Sequence, residues 1–112
     1  MSFLHDLAAT AVIPNMNPDI AVLVVSLLDG EEPEVRFLSV IAWNIEGASA
    51  VATPIAAEDY GAPGSAWAVC DRRANRAWQT GVCSWRSIDD AVACLRVDAI
   101  ASLRAFQQRE VA

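Results

Sequence analysis

Lysine is absent from this 112-residue chain, and all eight of its basic residues are arginine. Against fourteen acids they leave a net charge of −6. A chain with that balance gives a phosphate backbone little to bind, which argues against nonspecific nucleic-acid contact. Histidine occurs once, as His5. No Ser or Cys therefore has an evident imidazole base, and a nucleophilic triad is not expected. Cysteine occurs three times, at Cys70, Cys83 and Cys94. Three thiols cannot all pair within one chain, and their spacing lacks the close CxxC pairs of structural zinc sites. His5 and the thiols could together supply soft ligands, but without such a pair neither metal nor cofactor is expected. The thiols are read as reduced core residues. Gly61-Ala62-Pro63-Gly64 follows no phosphate-binding spacing.

Long apolar runs are missing too. The longest, Ile20 to Leu28, has nine residues, about half what a membrane helix needs. The first base is Arg36, so no positively charged leader region is seen. The chain is read as a soluble, cytoplasmic protein. Its 54% apolar content argues against disorder except at the termini and suits a single domain over residues 1–112.

The apolar pattern sets the expected elements. Ser2 can cap a short helix through about Val12, with Phe3, Leu4, Leu7, Ala8 and Ala11 on one stripe. Pro14 to Pro18 then form a linker. Ile20 to Leu28 is apolar on both alternating faces, which predicts a central strand covered on both sides. Val35 to Ile45 returns beside it, with Val35, Phe37, Ile41, Trp43 and Ile45 sharing a face. Ala50 to Ile55 is a weaker strand, placed at an edge by Pro54. Ala66 to Asp71 and Arg76 to Cys83 make a second hairpin, turning at Arg73 to Arg76. That turn puts Trp67 roughly opposite Val82 and Trp78 near Asp71.

Ser87 is a good N-cap, and Asp89 and Asp90 suit the helix start. Ile88, Val92, Leu95, Ala99, Leu103 and Phe106 then form one helical stripe. Val97 falls opposite it, which predicts a break near Val97-Asp98. The expected class is α+β. It comprises an antiparallel sheet of about five strands, two hairpins plus an edge strand, with a short N-terminal and a long C-terminal helix packed on it.

Charge is unevenly spread. The first sixty residues hold nine acids against Arg36 alone, and the remaining fifty-two hold five acids against seven arginines. Asp29, Glu31, Glu32 and Glu34 crowd one turn, and Glu58 and Asp59 lie in a Gly/Pro loop. They serve either as a solvated, edge-blunting surface or as an electronegative patch for a basic protein partner. A second group interleaves Trp67, Trp78 and Trp85 with Arg72, Arg73 and Arg76. Trp and Arg are enriched at binding hot spots, although the same residues can simply pack a sheet with arginines in water.

Together these features predict a non-enzymatic protein-binding module, an inhibitor or adaptor. The acidic set and the Trp/Arg set are its candidate contacts. A homodimer burying a sheet face or the Trp region would add cover for the two-sided strands. A sharper version is a nucleic-acid-mimicking inhibitor of a host defence nuclease complex, such as phages and mobile elements encode. A different class is a small-ligand-binding domain or small enzyme, with a pocket between helix and sheet near Tyr60, Trp67 and Trp85.

Overall fold

The computed structural model describes residues 10–27, 32–46, 51–79 and 82–111. They form strands β1 (Thr10–Pro14), β2 (Ile20–Ser26), β3 (Glu34–Glu46), β4 (Val51–Ala56), β5 (Ser65–Asp71), β6 (Arg76–Gln79) and β7 (Cys83–Trp85), then helix α1 (Ile88–Val111). Every pairing is antiparallel. The sheet order is β1-β3-β2-β5-β6-β7, with β4 also on β3. The α+β class stands, but the sheet has seven strands, not five.

One added strand is β1. Thr10 to Val12, expected to end a helix, pair instead with Glu46 to Asn44. The β-branched Val12 and Ile13 suit a pleated surface, and the partner lies too far along the chain for local periodicity to reveal. The rest of the expected N-terminal helix, residues 2–9, lies outside the described residues. The other added strand comes from a split. Val82 N–H donates to Gln79 C=O at 3.0 Å, turning the chain so that Trp85 faces Ala77. The β5–β6 turn is Arg72 to Asn75, with Asn75 in the left-handed region at φ 55. Trp78 therefore sits opposite Val69, not near Asp71, and Trp67 has no ladder partner on β6.

β2 is the centre, buried on both faces as its composition predicts. Ala21, Leu23 and Val25 meet Ala68, Cys70 and Ala77 of the sheet and Ala91, Leu95 and Ala99 of α1. Val22 and Val24 face the other way, toward Val40, Leu38, Trp43, Tyr60 and Trp67. Full burial of each Val or Leu stabilises by roughly 1.5–3 kcal/mol. The many alanines let the helix backbone lie close to the sheet.

β3 has thirteen residues and serves two neighbourhoods. Its first half pairs with β2, its second with β1 and β4. A register irregularity between Val40 and Ala42 resets the alternation. Trp43 therefore joins Val22 and Val24, while Phe37 stands opposite Leu23 on the helix side. The two do not share a face as expected. Residues 15–19 loop out between β1 and β2, and Asn15 ties them down. Its side chain donates to Val40 C=O at 3.0 Å and accepts from Trp43 Nε1 at 3.3 Å.

α1 starts as its sequence predicts. Ser87 Oγ accepts Asp90 N–H at 3.2 Å, and Asn75 Oδ1, from the β5–β6 turn, accepts Ile88 N–H at 3.0 Å. The helix then runs unbroken through Val97 and Asp98. The expected break is absent because the stripe Ile88, Ala91, Leu95, Ala99 never changes phase, and Val97 simply points to solvent. Gly64, at φ 80, closes the loop before β5. Its C=O accepts Leu27 N–H at 2.9 Å, and a Cβ there would lie 3.2 Å from Leu27 O.

Candidate interaction surfaces

Of the acidic set, Asp29 and Glu31 lie outside the described residues. Glu32 and Glu34 are exposed at the start of β3, and Asp59 is exposed with its Oδ1 accepting Gly61 N–H at 3.1 Å. Glu58 is paired with Arg36 at 2.8 Å, the one ion pair among the described residues. Arg36 Nε is buried without a partner there. Arg96 and Arg104 border a hollow of about 300 Å³ with Leu27 and Pro33, which stands between Glu32 and Glu34 in the chain. The charge segregation along the chain is thus interleaved in space at two places.

The Trp/Arg set is split. Trp67 and Trp78 lie on the sheet face away from α1, while Trp85 packs into the helix-side core. Arg76, Trp78, Trp85 and Arg86 meet around a shallow hollow of about 710 Å³. Arg73 is exposed in the turn, and Arg72 holds its guanidinium 4.7 Å above the Phe37 ring, a cation–π contact.

Three features were not anticipated. The first is an apolar groove of about 470 Å³ at the side of β5, lined by Ala52, Thr53, Trp67, Val69, Gln79 and Asp98 among others. Gln79 Nε2 donates to Trp67 C=O at 2.8 Å across it. β6 is too short to pair with this part of β5, and only the strand break could have announced that. The interface expected to hold a pocket, between α1 and the middle of the sheet, is filled by alanine, leucine and cysteine side chains. The second is an exposed apolar strip on β3, comprising Val35, Phe37 and Ile41. α1 lies over β5 and β2 and reaches β6 and β7, with at most slight contact to β3. The third is Val12, Ile13 and Met16, all exposed on or just after β1.

Tyr60 joins the two halves of the face away from α1. Its ring meets Trp67 edge-on with centroids 4.8 Å apart, and its hydroxyl donates to Pro54 C=O. Burial, with Asp59 as a lesser cause, raises its hydroxyl above the ordinary tyrosine value. Cys70 is fully buried, and burial pushes its thiol up to about 11. Such a thiol is a poor nucleophile at neutral pH. Cys83 and Cys94 are free and exposed. Among the described residues no three His, Cys, Asp or Glu gather as a metal-ligand set, and no helix is long and apolar enough to cross a membrane. No family model matches this chain, and neither curated proteins nor solved structures give a match.

Proposed function

We propose that the chain is a non-enzymatic protein-binding module, an inhibitor or adaptor, that contacts its partner through the strip of β3 beyond the helix. One observation carries this reading. Val35 and Phe37 are 41% and 38% exposed, while Val25 and Leu23, their neighbours on the same face of β2, are fully buried. A contiguous exposed apolar strip beside a filled core is what a docking surface requires. Glu32 and Glu34 lie at its end, so the fitting partner is apolar at the centre and basic at the rim. Phe37 already receives one guanidinium, from Arg72, and a partner arginine would find the same ring. The reduced cytoplasm, where free Cys83 and Cys94 stay as thiols, is the setting this reading assumes.

Capture from the native host tests it. Wild type is compared with Phe37→Glu and with the double variant Glu32→Lys/Glu34→Lys, each checked for folding by circular dichroism. A specific partner should vanish with Phe37→Glu and weaken with the double variant and with added salt. A partner held equally by all three proteins would remove the β3 surface from consideration.

A second reading, a small-ligand site, is favoured by the groove beside Trp67. Its apolar walls and few polar groups suit a small apolar molecule. Quenching of tryptophan fluorescence by such a probe, abolished in Trp67→Ala, would support it. The Arg36–Glu58 pair and the helix arginines beside Pro33 count against a nucleic-acid mimic, because they break up the continuous negative surface that a mimic needs.

A further inference from the structure

The sheet has several edges without a neighbouring strand, and all but one carry a device against pairing. Exposed edges offer unpaired N–H and C=O groups as a template for another strand, and native proteins blunt them. On β4, Pro54 stands opposite Trp43 and lacks an N–H, and its C=O accepts from the Tyr60 hydroxyl. On β5, beyond the reach of β6, Trp67 C=O is taken by Gln79 Nε2. On β3, residues Glu34–Ser39 pair with β2 alone, and the charged Glu34 and Arg36 stand along that free stretch. β7 is three residues long. β1 has none of these devices except Pro14 at its very end.

The direction of its backbone groups follows from one bond. Asn15 N–H donates to Ile41 C=O at 3.0 Å. Alternation then turns Ile13 and Ala11 toward β3 and Val12 outward. Among the described residues neither Val12 N–H nor Val12 C=O has a partner. Val12 is 66% exposed and Met16 89%, and Ile13 is exposed beside them.

Two further observations say what covers this edge. First, no charged residue occurs from Leu7 through Pro18. Copies carrying −6 each repel one another over most of their surface, and this neutral stretch is where they can approach most closely. Second, the chain exposes 7602 Å², against about 6,000 Å² for a compact monomer of its mass. Its radius of gyration is 15.8 Å, against about 13 Å for a compact domain of this length. The surplus exceeds the roughly 800 Å² that one partner contributes to a standard interface.

We propose that two copies pair edge to edge through β1, antiparallel about a two-fold axis near Val12, joining two seven-stranded sheets into one. Val12 N–H and C=O of each copy bond the other, and Val12 and Met16 close over the seam. This interface is separate from the Phe37 strip, so Phe37→Glu should leave it intact.

Sedimentation equilibrium over a concentration series is the test. Wild type should reach twice the 12.0 kDa chain mass. Val12→Pro, which deletes the outward donor without touching a bond to β3, and Val12→Glu should both halve it. Val97→Glu, on the far side of α1, should stay dimeric. Should Val12→Pro fail to fold, amide exchange on wild type decides. Val12 N–H should exchange more slowly as concentration rises, while Ile13 N–H, already bonded to β3, stays unchanged. A monomer at every concentration would overturn the proposal. So would a dimer that survives Val12→Glu with Val12 N–H exchanging fast.

Discussion

β2 turns one face to alanines and the other to aromatics, and the two halves of the molecule differ accordingly. On the α1 side, Ala21, Ala68, Ala77, Ala91 and Ala99 bring helix and sheet backbones close, with Leu23 and Leu95 filling what remains. On the other side, Trp43, Tyr60 and Trp67 pack with Val22 and Val24 of β2 and with the arm made by β1, β4 and the end of β3. Small side chains make a closed interface. Large ones at the rim span a space without filling it, and leave the groove beside Trp67. The exposed apolar residues of β1 and β3 lie outside both interfaces. Function is therefore to be sought on the arm and the uncovered strip, not under the helix.

The hardest test of this contrast is a matched pair of truncations. Leu95→Ala opens a cavity in the closed interface and should cost about 2–5 kcal/mol in urea unfolding. Leu38→Ala, half-buried on the opposite face, should cost less than half as much, because its surroundings can relax into open space. Equal losses would mean that the two sides are packed alike.

A pH series probes the closed side alone. Cys70 has its thiol pushed from 9.0 to about 11 by burial, so the folded state holds the proton more tightly than the unfolded one. Its contribution is complete below pH 9 and is lost as pH rises toward 11, by at most about 3 kcal/mol. Cys70→Ala should flatten that part of the profile. Above pH 10 a residual decline should persist from Tyr60, whose raised hydroxyl likewise favours the protonated folded form. In native protein a thiol reagent should modify Cys83 and Cys94 at once and Cys70 only on unfolding. Rapid reaction of all three would show that the helix side is not closed.

Tyr60→Phe tests the open side. It removes the bond to Pro54 C=O and should cost about 0.5–1.5 kcal/mol, while the ring keeps its contact with Trp67. It also strips the edge of β4 of its cap, so the variant should aggregate more readily than wild type on standing. A variant as stable and as soluble as wild type would mean that β4 needs no cap.

What the sequence made legible were features fixed by a few neighbouring residues. β2 is two-sided because it alternates apolar with apolar, and the Ser87 cap works across three positions. Pro54 marks an edge because the missing N–H is a property of the residue itself. What escaped were features fixed by distant partners. Thr10 to Pro14 carries too few residues to declare a period, and it becomes a strand only because residues 42–46 are there to pair with it. The change of face at Trp43 follows from one irregular step on β3, which strict alternation cannot foresee. Of the candidate contacts, Glu32, Glu34 and Asp59 are exposed as expected of surface carboxylates. The Arg36–Glu58 pair joins positions twenty-two apart, beyond any local rule. The Trp67 groove depends on where β6 stops.

The smallest expected effect concerns Val97, and it separates two accounts of the helix. Were α1 broken at Asp98, Val97 would end a segment and could turn inward, and its truncation would cost about 1 kcal/mol or more in lost burial. In an unbroken helix Val97 is 65% exposed and sits on the solvent side. Val97→Ala then loses little contact and gains helix propensity, since a β-branched side chain is restricted against the preceding turn. The variant should match wild type within about 0.5 kcal/mol or exceed it slightly. A clear loss would place Val97 in an interface, and the edge-paired dimer, which leaves that side of α1 in water, could not supply it.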